Sequence, residues 1–375
     1  MKIVNWQSLF TDHQLFTWHA LQALLAKPIT HVVGTAASET RTMQGWKGAD
    51  LSDLDVVYLE GKDWWQRGVS IIRANPDAVH VFCGYWAERR YFPLIVYALW
   101  HKAKVVVINE SFSSESVGYL AEGKQLLNKI KAGLRPPLYR AATSLLMFAA
   151  RGKQPALLAI SLRAVEQFKR SGLRDEQVFP FGYFVPSVSI VDQSNRPLGG
   201  GIRLIFVGSL LPRKGLDIAI AAVTCCQQQG LSVTLDVYGV GDVKKYITDE
   251  SRGTTYRGTI PFGHAQAVIA QYDVLILPSR HDGWGVVVNE ALLQGVPVIA
   301  SENVGACCLV EANKVGAILR NEDVVSLQEI LQQLSADPKV LSVWRDNTAS
   351  VRGLIEPEVA AKYMRDVMNF YFYLV

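Results

Sequence analysis

The sequence has little cysteine, little net charge and no long apolar run, and each shortage removes a class of protein. Its five cysteines are Cys83, the pair Cys225–Cys226 and the pair Cys307–Cys308. Adjacent cysteines give neither a disulfide framework nor a C-x-x-C metal spacing, so a reducing, cytoplasmic compartment is expected. None of the seven histidines stands at a zinc-like spacing from cysteines or acids, and no metal is expected. The formal net charge of +4 is too small to argue for nucleic acid as a partner. The apolar-rich stretch Ala141 to Ala150 is well short of the roughly 20 residues that cross a bilayer. Asp12, His13 and Gln14 interrupt the stretch in which a signal peptide would need an apolar core. A soluble or membrane-peripheral chain is therefore expected. Two common catalytic signatures, G-x-S-x-G and the Walker lysine, are missing. Gly239-x-Gly241 is followed by Lys244 where a nicotinamide fingerprint needs its third glycine.

What the sequence does have is apolar residues, 49% of 375, enough for two packed cores. Short β-branched runs recur at Ile3–Val4, His31–Val33, Val56–Tyr58, Val79–Phe82 and Val105–Ile108, each followed by a helix-like stretch. A second series opens at Ile202: IRLIFVG, LSVTLDVYG, TTYRG, YDVLILP, GVPVIAS and VGAIL. Strands alternating with helices indicate βαβ units and parallel sheets covered on both faces. The Ser-, Asn-, Pro- and Gly-rich stretch between the two series reads as a linker. The expected organisation is an α/β chain with a Rossmann-like domain at 1–186, a linker at 187–201, a second such domain at 202–354 and a C-terminal helix at 355–375. Asp53-Leu54-Asp55 spells a metal-binding D-x-D but precedes a strand instead of ending one, so incidental surface acids are expected.

Charge is uneven. Tyr85 to Arg174 holds 15 Lys+Arg against five Asp+Glu. Within it, Leu120 to Arg135 has helical periodicity: Leu126, Leu127, Ile130 and Leu134 share an arc of roughly 100°, with Lys124, Lys131 and Arg135 beside it. Such a stripe packs either into a core or into an anionic membrane interface. Residues 120–135 are therefore a candidate membrane contact.

Two constellations carry chemistry. In the first, the strand YDVLILP runs into a loop with Gly283 and Gly285 and then a helix beginning near Val287. Ligands of open α/β sheets bind beyond the carboxyl ends of strands, and a helix N-terminus behind unobstructed N–H groups attracts anions. Asp282 and Glu290, eight residues apart, suit the hydroxyls of a ribose and a hexose. In the second, Gly208 ends a buried strand, and Arg213 and Lys214 follow in the next loop, where two cations suit a diphosphate.

The combination G-S-L-x-x-R-K-G, V-Y-G-x-G-D and P-S-R-x-D-G-W-G-x-x-x-N-E-A closely resembles retaining glycosyltransferases of family four. The resemblance covers Ile202 to about Leu319. It implies the GT-B architecture, two Rossmann-like, doubly wound domains facing a cleft, with a last helix that crosses back to the first domain. It also implies that Glu290 holds the nucleotide ribose and Asp282, a shorter acid than the family's usual glutamate, lies near the donor sugar. Arg213 and Lys214 match the phosphate-binding pair and Gly208 the loop beneath the phosphates. Gly239 to Asp242 and Arg257–Gly258 match the neighbourhood of the base, and the amides of Val286 and Val287 would reach the distal phosphate.

The N-terminal half is expected to supply the acceptor side from residues just after its strands: Ser8–Gln14 with His13, Gly84–Glu88, and Glu110–Ser111. Glu110 is a candidate for orienting acceptor or donor sugar. Tyr85, Trp86, Trp64 and Trp65 suit either sugar stacking or core packing. The expected function is that of a retaining, metal-independent hexosyltransferase without a cofactor. It would take a nucleotide-diphosphate sugar, with UDP as the expected carrier, and a glycan or lipid-linked acceptor in surface polysaccharide or glycolipid synthesis. It would work in the cytoplasm or at the inner membrane face. The alternatives are a non-catalytic nucleotide-sugar-binding protein, a GT-B relative that hydrolyses or epimerises the donor, and a membrane- or polyanion-binding module.

Overall fold

The computed structural model describes residues 1–35, 50–86, 88–113, 125–151, 155–189, 201–261, 263–320 and 323–373. Lys124 and most of the 187–201 stretch lie outside them. The chain divides into two compact units.

The first unit takes Met1–Ser114, Lys129–Phe184 and Pro357–Val375. Its sheet comprises β1 (Ile3–Gln7), β2 (Thr30–Val33), β3 (Asp55–Tyr58), β4 (Val79–Cys83), β5 (Lys104–Glu110), β6 (Ala156–Ile160) and β7 (Val178–Phe181). Their order is β3-β2-β1-β4-β5-β6-β7, every pair parallel. Successive strand residues face opposite sides, so the sheet has two cores. Val4, Trp6 and Phe82 meet Ile72, Leu94 and Ile95 on one face, where the helices α1 (Asp12–Leu25) and the last helix are not involved. Ile3, Val79 and Val81 meet Leu15, Trp18, Met364 and Met368 on the other.

Strands β6 and β7 extend the sheet beyond the runs legible in the sequence. β6 reads ALLAI, good helix formers with Ile160 its one β-branched residue, and burial between two strands makes it extended. β7 contains Pro180, which an edge strand tolerates because it offers one free hydrogen-bonding side.

Pro357–Tyr373 forms one helix whose buried positions Ala360, Ala361, Met364, Val367 and Met368 recur at helical spacing. These face α1, and Tyr371 meets Phe179 of β7 edge-on at 6.1 Å. The aromatic C-terminus is thus part of the first unit's core, not of the second unit that precedes it in sequence.

The second unit is built on Val185–Glu356. Its strands are β8 (Ile202–Val207), β9 (Val233–Tyr238), β10 (Thr254–Gly258), β11 (Val274–Leu277), β12 (Val298–Ser301) and β13 (Gly316–Leu319), in parallel order β10-β9-β8-β11-β12-β13. Chain order reverses between β8 and β11 here, and between β1 and β4 in the first sheet. Crevices at such switch points are where doubly wound sheets bind ligands.

No helix among the described residues is long and apolar enough to cross a membrane. Asp55 opens β3 and accepts from Thr30, and no cluster of potential metal ligands occurs among the described residues.

Candidate functional site

In the second unit the two sequence motifs meet at the switch point. The loop after β8 turns through a short 3-10 segment, Pro212–Lys214, into the helix Leu216–Gln228. Gly215, at the junction, has φ +68°, and a Cβ there would lie 1.9 Å from the Pro278 carbonyl oxygen. Only glycine lets the β8 loop pass this close to the end of β11. The contact is stitched by one backbone and one side-chain bond: Arg280 N donates to Arg213 O at 2.8 Å, and Arg213 Nη1 donates to His281 O at 3.3 Å.

Across this seam Lys214 Nζ donates to Asp282 Oδ2. Both side chains are largely buried, at 14% and 13% exposure. Burial opposes ionisation of Asp282, but Lys214, Arg213 and His281 outweigh it and hold the carboxyl below its usual range. The loop between them is locked by Asp282 N donating to Asn303 O at 3.0 Å and Gly305 N to Asp282 O at 3.1 Å.

Gly285, at φ +87°, is the N-cap of the helix Val286–Leu293. A Cβ on it would stand 2.8 Å from Val304 and 3.7 Å from Asp282 Oδ2, so the helix start lies beside the ion pair. The first-turn N–H groups of a helix have no partner within the helix and favour an anion. On this helix Val288, Asn289, Ala291, Leu292 and Leu293 are buried, and Asn289 Oδ1 accepts from Trp284 Nε1 at 2.8 Å. Val286, Val287 and Glu290, spaced i, i+1 and i+4, are the partly accessible positions. Burial pushes the Glu290 carboxyl up to about 7.

Gly208 and Gly239 join the same cluster. A Cβ at Gly239 would lie 1.8 Å from Gly208 O, and one at Gly208 would lie 4.0 Å from Lys214 Cδ. Arg257 stands apart. It lies on the edge strand β10 and donates from Nε to Asp236 Oδ2 at 2.9 Å, an acid that also accepts from Tyr272. Its neighbour Gly258 is tied to the cluster, accepting from Gly239 N at 2.9 Å.

Sequence reasoning missed Arg280. Its guanidinium makes a two-pronged pair with Asp217 at 2.8 and 2.7 Å and donates to Pro212 O at 2.8 Å. Arg280 thereby fixes the loop that carries Arg213 and Lys214. The P-S-R tripeptide was visible, but its partner Asp217 is 63 residues away.

The first unit has its own pocket, about 760 Å³, at the carboxyl ends of β1, β4 and β5. Ser8, Gln14, Gly84, Glu110 and Ser111 are among its lining residues. Glu110 ends β5 exposed and accepts from the Tyr183 hydroxyl at 2.6 Å. Burial, then Glu110, pushes the Tyr183 phenol well above its usual range, so it stays a donor. His13 packs edge-on against the Tyr183 ring at 4.9 Å and contacts Thr11 Oγ1 at 3.2 Å, beside this group. Tyr183 is a second residue that sequence spacing did not reveal. Of the four aromatic candidates, Tyr85 is fully buried and Trp64 packs on the core, whereas Trp65 and Trp86 are 39% and 41% exposed.

The described part of the 120–135 stripe belongs to the helix Gln125–Ala149. Leu126, Leu127, Ile130 and Leu134 are 73%, 53%, 49% and 52% exposed, so their stripe is not a core face.

Two Rossmann-like parallel sheets, each with a switch point in its strand order, define the class: the α/β architecture of GT-B glycosyltransferase structures. HepE of Anabaena, solved with UDP and glucose, shares this fold with a TM-score of 0.69, covering 98% of this chain and 99% of its own at 14% identity. Residues 201–337, within the second unit, match the family described as Glycosyl transferases group 1. Among curated relatives, glycogen synthase of Mycobacterium tuberculosis is 27% identical over 151 residues, 39% of this chain and 36% of that protein. The amylovoran biosynthesis glycosyltransferase AmsK of Erwinia amylovora is 26% identical over 196 residues, 49% and 47% of the two chains. The chain thus spans less than half the length of either relative.

Proposed function

We propose that the protein is a retaining hexosyltransferase. It moves a hexose from a nucleotide-diphosphate sugar to a hydroxyl of a glycan or lipid-linked acceptor, in surface polysaccharide or glycolipid synthesis. The observation that carries this reading is the joining of Arg213 and Lys214, after β8, to Asp282 and the Gly285 helix start, after the adjacent strand β11. Two cations and a helix N-terminus converge there, as a diphosphate requires.

In this reading Arg213 and Lys214 offset the charge that develops on the departing diphosphate. The amides of Gly283, Gly285, Val286 and Val287 receive the distal phosphate. Gly208 and Gly239 let the phosphates approach the backbone, and the ribose hydroxyls donate to Glu290. Arg257 borders the base. Asp282, held anionic by Lys214, faces the sugar. The diphosphate leaves and the hydroxyl arrives on the same face of the anomeric carbon, through an oxocarbenium-like state. The two cations and the helix terminus fulfil the charge role that a metal plays elsewhere, and no cofactor takes part. The first unit's pocket, with Glu110 and His13 near its Tyr183 wall, receives the acceptor. UDP is the first carrier to test, since HepE of the same fold was solved with it. The enzyme works in the cytoplasm, at the inner membrane face, with residues 120–135 as the contact to an anionic membrane surface.

A thermal-shift series with UDP, GDP and ADP tests the donor site. A nucleotide at about 100 times its dissociation constant stabilises by roughly 2.7 kcal/mol. Lys214→Ala should abolish that shift and lower turnover of a radiolabelled donor by about a hundredfold or more, with the circular dichroism unchanged. No shift with any nucleoside diphosphate, or full turnover in the variant, would reject the reading. Free sugar released without acceptor would point instead to a hydrolase.

A further inference from the structure

Beside the long helix Gln125–Ala149 lies a groove of about 430 Å³ with an apolar lining, separate from the acceptor pocket. The volume falls in the range of small-molecule sites, about 300–1,000 Å³. Trp65, Phe92, Val96, Tyr97 and Trp100 form one wall and floor, and Leu145 of the long helix forms the other.

The surface around it is unusual in two ways. First, the long helix has two apolar faces. Ala132, Ala142, Leu146 and Ala149 are buried, while Ile130, Leu134, Leu138, Leu145 and Phe148 are 45–70% exposed. At about 100° per residue the exposed set falls in an arc of roughly 80°, with Lys131 and Arg135 beyond one border and Lys129 and Arg140 beyond the other. Second, this 25-residue helix contains no Asp or Glu, and neither do the helices Trp64–Ala74 and Tyr91–Trp100 that carry the groove's aromatic wall. Trp100, 41% exposed, is capped by Arg151, whose guanidinium carbon sits 3.7 Å from the ring centroid. An apolar face with exposed tryptophan, bordered by cations and free of acids, is complementary to an anionic lipid interface: the ring sits at headgroup level and the cations meet phosphate. A protein partner would match the apolar residues but would not require cations on both borders.

We propose that this groove is where the first unit enters an anionic lipid surface, with one hydrocarbon chain of a lipid lying along Trp65, Trp100 and Leu145. Trp86 connects this groove to the acceptor pocket. It lines the pocket and stacks, at 4.6 Å, on Phe92, which lines the groove. The groove and the pocket thus adjoin through this stacked pair, and a lipid held in the groove lies next to the pocket. This deepens the membrane contact proposed above and rests on it, but it adds a defined chain-binding site to a surface attraction.

Two measurements separate the levels. Flotation with vesicles of equal parts phosphatidylcholine and phosphatidylglycerol tests the surface. Binding is expected there and not with phosphatidylcholine alone, and Lys129→Glu with Lys131→Glu should lower it about tenfold or more. Quenching of tryptophan fluorescence by the same vesicles with acyl chains brominated tests the groove. It should be strong for the unaltered protein and mostly lost in Trp65→Phe with Trp100→Phe, which still floats. Flotation with quenching unchanged in that variant overturns the groove and leaves the membrane contact. Absence of flotation, or flotation equal on both lipids, overturns both.

Discussion

Lys214 and Asp282 show how much one contact decides where the β8 and β11 loops meet. Each is nearly buried, so removing Lys214 leaves Asp282 with only Arg213 and His281 to offset its charge. Lys214→Met alone is expected to cost about 3 kcal/mol in urea denaturation, and Lys214→Met with Asp282→Leu markedly less, the signature of coupling in a double-mutant cycle. Additive losses would mean that the pair is not a unit. Glu290 makes a prediction of the opposite electrostatic kind. Its carboxyl ordinarily titrates at 4.5 and in the fold at about 7. Between those values the folded chain keeps a proton that the unfolded chain has lost, so stability falls as pH rises through the window. Glu290→Gln should therefore melt higher than the unaltered protein at pH 8 and equally near pH 4. It should also bind the nucleotide about tenfold more weakly, because a carboxylate accepts ribose hydroxyls better than an amide. These two acids were legible in the sequence through their spacing. The pairing of Asp282 with Lys214, 68 residues earlier, was not, because it depends on β8 and β11 lying side by side.

At the scale of elements, all six strands of the second sheet were legible as short apolar, β-branched runs, five of them ending at glycine, proline or serine. Two of the first sheet's seven were not. β6 has the composition of a helix and β7 contains a proline, and both become strands only because a neighbour supplies the ladder. The long helix was read the other way: half its periodicity was seen, and the structure puts that half outside the core. Periodicity reports that a stripe exists. It does not report what covers the stripe. The loop-to-helix junctions carry the element-scale prediction. Gly215→Ala places a methyl group 1.9 Å from a carbonyl oxygen on a backbone with φ +68°. A loss of at least about 2 kcal/mol is expected, from strain and from displacement of the loop. Donor affinity should fall with it, because Arg213 and Lys214 ride on that loop. A variant that melts and binds as before would show that the close approach is not maintained in solution.

At the scale of the whole molecule, the first unit is tuned to neutral pH by two histidines inside its sheet. Trp6 Nε1 donates to His80 Nδ1 at 3.3 Å, and His80 Nε2 lies 3.1 Å from Asn75 O, which fixes the neutral tautomer. His31 Nδ1 contacts the Asn5 amide at 2.9 Å. Burial lowers both imidazoles from 6.5 to about 4. The unfolded chain binds more protons in that interval, so their contribution is complete above pH 6.5 and is lost as pH falls towards 4, on the order of 3 kcal/mol for each. Calorimetry between pH 7 and 5 should show the first unit's transition moving down more than the second's, and His80→Gln should flatten that dependence. The C-terminal helix ties the ends of the chain together within that unit. Met364→Ala, which opens a cavity between this helix and α1, should cost about 2–5 kcal/mol and lower the same transition.

The sequence by itself determined the class of the fold and singled out the residues that the β8 and β11 loops bring together. Alternation of strands and helices, and polar residues placed just past strand ends, are local patterns that survive without coordinates. Tertiary structure alone decided which loops meet, which acid a lysine holds, and that the cationic helix turns an apolar face outward. Each of these depends on contacts between segments far apart in the chain. No local propensity encodes such contacts, because their free energy arises only when the sheets have assembled and water has been removed.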